Sequence, residues 1–282
     1  MKTLHLGLFL AFLISGISLP SLSGLLIFPF SSIPSEFDWL FRAVLSTVFL
    51  LLSMIALKSA SYKKYWKVFF AFFVASFALN LQALSGFFNF HSTPINEIVI
   101  GMLSSTFFVA IPIIGFTIIS GDNLSAVFLA KGNLKVGLIV GSIGFIAFAL
   151  VAIPAATYLF QGQDLTVAKA NSWTVPILVI VFANGIREEL LYRGLFLRKY
   201  EQFLGSKTSN VLQASIFSLS HTVAGIGATA YTPYILVLVL FTFGLGLVWG
   251  FVMQKTNSLV GSVLFHAGSD ISVFLGIFSN LH

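Results

Sequence analysis

Nine apolar stretches separated by short polar connections run along the chain, near residues 5–30, 39–58, 67–90, 96–119, 136–159, 174–199, 208–226, 233–253 and 258–280. Each approaches or exceeds the ~20 residues an α-helix needs to cross ~30 Å of hydrocarbon. The runs are continuous instead of alternating, which argues against the strands of a closed β-barrel. The pattern predicts an all-α, polytopic transmembrane bundle of eight or nine spans. Pro20 and Gly24 interrupt the first stretch, and apolar sequence resumes at once with "GLLIFPF". That predicts a kinked, retained span. The alternative is a signal peptide that starts at Lys2 and is cut near residues 21–23.

Composition agrees with the pattern. The 282 residues are 57% hydrophobic and 9% charged, with a mean hydropathy of +0.99. Soluble domains carry about 25% charged residues, so this chain cannot cover a globule with polar surface. A net charge of +6 does not point to nucleic acid, because the basic residues lie in short connections between apolar runs. Lys58, Lys63, Lys64 and Lys67 share one connection and Lys131 and Lys135 another; Arg198, Lys199 and Lys207 share a third, and Lys255 sits in a fourth. The connections between these carry Glu36 and Asp38, then Glu97, then Asp164 with Lys169. This alternation predicts a cytoplasmic N-terminus and an external C-terminus by the positive-inside bias. With no cysteine, disulfides, thiolate metal sites and cysteine nucleophiles are excluded.

Ionisable residues divide the chain in two. Through residue 170 the apolar stretches have almost none in their interiors, and Arg42 is near enough to a membrane face to snorkel. Phenylalanine is abundant there, as in "FFAFFVASF" at 69–77, and suits lipid contact or helix packing. Residues 1–170 are therefore expected to be scaffold, and 171–282 the functional core of one integrated membrane domain. In that core Glu188 and Glu189 fall in the sixth stretch, His221 in the seventh, and His266 and Asp270 in the ninth. Each such group costs at least ~2.5–3.5 kcal/mol to insert, and the default reading is a functional interior.

Helical spacing sorts these residues. Glu189 and Arg193, four apart, share a face and form an ion pair in the favourable orientation. Glu188 lies ~100° around the helix, with Leu191 and Tyr192 one turn on and no cation nearby. A buried carboxylate without a counter-charge holds a proton more readily, as a general base near neutrality requires. Arg187 is expected to snorkel towards the basic face. Phe217 and His221 share a face in "FSLSH", and His266 and Asp270 do so in "HAGSD". In the last motif the carboxylate is placed to orient the imidazole; a buried His–Asp bond that only locks two helices is the bland alternative. His5, His91 and His282 lie at ends or in a connection. Gly244, Gly246, Gly250 and Gly261 suit close helix approach.

"EELLYR", "FSLSH" and "HAGSD" fit EExxxR, FxxxH and HxxxN/D, in that order and each within an apolar run. The stretch from about 174 to 275 resembles the CPBP family of intramembrane proteases, which includes the CAAX prenyl endopeptidases and the bacterial Abi, or bacteriocin-immunity, proteins. The resemblance implies an endopeptidase in which Glu188 activates water, His221 assists that base or binds the water, and His266 and Asp270 stabilise the oxyanion. An ionised Asp270 only accepts hydrogen bonds, so its part in that last role must be indirect or need a proton. The family admits a metal-free, glutamate-based mechanism or a divalent metal such as zinc held by Glu188, His221, His266 and Asp270; there is no HExxH pair, and the reading leans towards the metal-free route. Expected partners are a peptide or membrane-tethered protein substrate and the bilayer, in the plasma membrane of a prokaryote, with a water-filled cavity open to the cytoplasm. The competing functions are a non-catalytic immunity or scaffold protein using the same cavity, and an ion or proton transporter, for which no inverted repeat is visible.

Overall fold

The computed structural model describes residues 2–19, 38–83, 94–228 and 232–281. Pro20, Gly24, Glu36, His91 and His282, on which parts of the sequence reading rested, lie outside them. Regular structure among the described residues is entirely helical. In chain order the helices are α1 (Lys2–Ser18), α2 (Asp38–Lys58), α3 (Trp66–Gln82), α4 (Ile95–Ile119), α5 (Leu134–Leu150), α6 (Ala152–Leu159), α7 (Val167–Ser172), α8 (Thr174–Glu188), α9 (Leu197–Ala228), α10 (Thr232–Thr256) and α11 (Val260–Ser279). A π-helical turn, Glu189–Gly194, joins α8 to α9.

Among the described residues, four helices are long and apolar enough to cross a membrane: Trp39–Lys58, Ile95–Ile119, Leu236–Thr256 and Val260–Ser279. The stretch read as one span at 136–159 breaks into α5 and α6, bent by 60°; counted together they make a fifth. The remaining apolar stretches form shorter or interrupted helices. α8 has 15 residues, its charged end included, and α3 has 17. α9 changes direction at Gly205, whose φ of 74° and ψ of 165° suit a residue without Cβ.

Connections tie the two ends of the bundle together. At one end Lys67 pairs with Asp122, the Asn133 N–H donates to the Thr256 carbonyl (2.7 Å) and the Leu259 N–H to the Phe128 carbonyl (3.0 Å), and Arg198 Nη2 donates to Asn257 Oδ1 (3.0 Å). At the other end the Gln163 N–H donates to Ser279 Oγ (3.1 Å). The basic connections thus gather at one end, as the alternation of charges predicts.

Aromatic residues build one core. Phe72 lies 4.9 Å from Phe196 and 5.0 Å from Phe49, and Phe12 stacks on Tyr200 at 5.1 Å, which brings α1, α2 and α3 against the start of α9. Phe72 and Phe73 are buried, so the 69–77 run packs helices as well as facing outward. Arg42 is also buried.

A second seam is made by small residues. A Cβ at Gly261 would stand 2.9 Å from Gly137 Cα, and one at Gly268 only 2.4 Å from Phe145 Cα, so α5 and α11 touch backbone to backbone. On α10, Gly246 faces the backbone and Cβ of Ala214, and Gly250 faces the side chains of Asn210 and Gln213. Gly244 departs from the expectation, since nothing lies within 4 Å of the Cβ it would carry.

Candidate active site

Three elements converge on Glu188. α8 ends there, α9 brings His221, and α11 brings His266 and Asp270. Leu195 N–H donates to the Leu190 carbonyl, five residues back, at 2.9 Å. This wider π turn lets both glutamates approach one imidazole, where a straight α-helix separates them by ~100°. Glu189 Oε1 sits 2.8 Å from His266 Nδ1. Glu188 Oε2 sits 3.6 Å from His266 Nε2 and 3.4 Å from His221 Nε2, beyond normal hydrogen-bond length but within ion-pair reach. That oxygen is buried and has no hydrogen-bond partner among the described residues.

Each histidine is fixed from behind. His221 Nδ1 lies 2.9 Å from the Phe217 carbonyl, which can only accept, so this nitrogen carries a proton and Nε2 is turned to Glu188. Its ring is 4.1 Å from that of Phe217, as the FxxxH spacing predicts. The His266 ring stacks on Trp249 at 4.0 Å and 6°, and Ser262 Oγ on α11 donates to the backbone carbonyl of Trp249 (2.7 Å).

The Glu189–Arg193 pair forms as the spacing predicts, at 2.7 Å and with both side chains fully buried. The guanidinium lies between aromatic faces, 4.3 Å from the Phe217 centroid and 5.0 Å from that of Trp249. These cation–π contacts face a group whose Nε and Nη2 lack hydrogen bonds.

Three sequence expectations need correction. The carboxylate behind His266 is Glu189, not Asp270: Asp270 Oδ2 lies 3.5 Å from Nε2, on the side that faces Glu188. The π turn, invisible to a straight-helix argument, delivers Glu189 to Nδ1 first. Glu188 is also not without a cation, because Arg187 Nη2 donates to its Oε1 at 2.7 Å. Arg187 does not snorkel; it is buried, and Nη1 donates to Ser105 Oγ at 2.9 Å. The argument from an uncompensated charge on Glu188 therefore lapses, and the case for that residue rests on geometry.

Sequence reasoning missed Asn184, Ser105 and Trp249. Asn184 Nδ2 donates to Asp270 Oδ2 (2.7 Å) and Asn184 Oδ1 accepts from Arg187 Nη2 (2.5 Å). Its position one helical turn before Glu188 was the available signal. No pattern in the chain links Ser105, 82 residues away from Arg187, to the site.

Access is set by exposure. The His221 side chain is 31% exposed against 11% for Glu188 and 2% for His266, so the cluster opens past His221. Glu188, His221, His266 and Asp270 have the donor chemistry of a zinc site. As arranged they do not fit one: among the described residues no group of three or more His, Asp and Glu side chains is placed to hold a metal ion.

Glu188, His221, His266 and Asp270 thus meet as one cluster in a bundle that carries several long apolar helices, and part of the chain is similar to a known family. Residues 170–272 match the model of the Rce1-like family, described as "Type II CAAX prenyl endopeptidase Rce1-like". The match covers nearly the same stretch as the three motifs and agrees with the CPBP resemblance. It supports an intramembrane endopeptidase acting on a membrane-associated protein or peptide. No curated protein and no solved structure matches the chain.

Proposed function

We propose that the protein is an integral-membrane endopeptidase that hydrolyses peptide bonds of membrane-associated substrates with water activated by Glu188. One observation carries the reading: a buried carboxylate oxygen, Glu188 Oε2, lies between the Nε2 atoms of two histidines on other helices, 3.4 and 3.6 Å away. With its proton on Nδ1, His221 presents a lone pair to Glu188. A water donating one hydrogen to each fits between two such acceptors, and its oxygen is then directed outward as the nucleophile.

The steps balance through side chains alone. The water oxygen bonds to the scissile carbonyl carbon while one of its protons passes to Glu188 Oε2. In its imidazolium form His266 donates from Nε2 to the resulting oxyanion, with Glu189 accepting from Nδ1. The C–N bond then breaks as Glu188 returns the proton to the leaving amine. In this reading Asp270 accepts from Asn184 and neighbours His266, and it donates to no oxyanion.

We place the chain across the membrane eight or nine times, in a prokaryotic plasma membrane, with the N-terminus and the mouth at His221 facing the cytoplasm. The absence of cysteine makes this directly testable. A single cysteine at Lys207 should be labelled by an impermeant maleimide only in inside-out vesicles, and one at Asp164 only in right-side-out ones; the opposite result reverses the orientation.

The peptidase reading is tested on purified protein in nanodiscs, with an internally quenched peptide ending in a farnesylated CAAX motif and a non-lipidated peptide as probes. Glu188→Ala should abolish cleavage while the melting transition survives. A Glu188→Ala protein as active as the parent removes Glu188 from the chemistry.

A further inference from the structure

Five side chains close a ring at the site, and two of them lie outside the motifs that define the family match. From Arg187 the ring passes to Glu188 (2.7 Å), His266 (3.6 Å), Asp270 (3.5 Å), Asn184 (2.7 Å) and back to Arg187 (2.5 Å). Arg187 is the branch point. Its Nη2 serves both Glu188 Oε1 and Asn184 Oδ1, while Nη1 anchors the ring to Ser105 on α4.

We propose that Arg187 and Asn184 are positioning residues that select which oxygen of Glu188 acts as the base and set where Asp270 stands; this rests on the peptidase reading. A carboxylate has two equivalent oxygens, and a side chain rotating about χ3 would present either. Arg187 removes the equivalence by holding Oε1, leaving Oε2 towards His221 and His266. A planar guanidinium suits this task, because its fork directs Nη1 and Nη2 at three partners at once, whereas a lysine ammonium is a point charge on a flexible stem. Asn184 transmits the same constraint to the second carboxylate: it is fixed by Arg187 at Oδ1 and bonds Asp270 through Nδ2. Neither residue touches the substrate in this arrangement. The ring accounts for the burial of Arg187 and Asn184 inside the protein.

The test has two arms. In the first, independent of turnover, the protein is treated with dicyclohexylcarbodiimide, which modifies protonated carboxyls in apolar surroundings, and adducts at Glu188 are mapped by mass spectrometry. The parent and Arg187→Lys, which both keep a cation at Oε1, should resist; Arg187→Met should be labelled several-fold more. Equal labelling of all three overturns the clamp whether or not any peptide is cleaved. In the second arm, Arg187→Lys and Asn184→Ala should lower kcat about 100-fold, the cost of misplacing a reacting group by about 1 Å, with KM little changed. A KM rise at unchanged kcat would make these residues substrate binders and overturn the proposal. Lack of cleavage by the parent with a clamped Glu188 would instead sink the peptidase reading alone.

Discussion

Gly268 offers the sharpest test of how packing supports the site. It lies between His266 and Asp270 on α11, and a Cβ added there would stand 2.4 Å from Phe145 Cα, 3.0 Å from Phe145 O and 3.1 Å from Phe145 C. Ordinary contact begins near 3.4 Å, so α11 and α5 must separate by about 1 Å. The obstructing atoms are backbone and cannot swing aside as a side chain would. Overpacking of this kind costs about 1–3 kcal/mol, offset by up to about 1 kcal/mol from replacing Gly with Ala in a helix. Gly268→Ala should therefore lower stability by up to about 2 kcal/mol net. Because the shift moves His266 and Asp270 relative to Glu188 by a comparable distance, kcat should fall about 100-fold. Gly244→Ala is the matched control: it meets nothing within 4 Å, so it should be neutral or slightly stabilising. Both proteins are compared by tryptophan-monitored thermal unfolding in detergent and by cleavage of the quenched peptides. A Gly268→Ala protein that melts and cleaves like the Gly244→Ala control would refute the backbone contact between α5 and α11.

Other outcomes follow from the site. Glu189→Gln leaves the Arg193 charge buried without its partner and should destabilise by about 3–5 kcal/mol in a denaturation measurement; cleavage should fall with it, since Glu189 also holds His266 Nδ1. Trp249→Ala removes the ring stacked on His266 and should cost about 3–5 kcal/mol, while Trp249→Phe keeps much of the packing; equal melting of the two would argue against that stack. Chelator dialysis with parallel elemental analysis should leave cleavage unchanged in a glutamate-based enzyme, and activity lost to the chelator and restored by zinc alone would make the histidines ligands.

Much of this protein was legible in its sequence. The apolar runs impose helices because backbone polar groups in hydrocarbon must be satisfied within the segment. The spacing of Glu189 and Arg193, and of Phe217 and His221, put each pair on one face, and both pairs meet. The scarcity of buried charge singled out Glu188, His221, His266 and Asp270, because such groups are too costly to leave facing lipid. Tertiary structure decided the rest. At the π turn Glu189 meets His266 Nδ1, while Asp270 approaches the other side of the ring at Nε2. A serine on α4, 82 residues from its partner, fixed the direction of Arg187. Periodicity reports which residues share a helix face, but not how one helix is rotated or bent against another. Here that rotation determines which carboxylate meets Nδ1 of the imidazole and which approach Nε2.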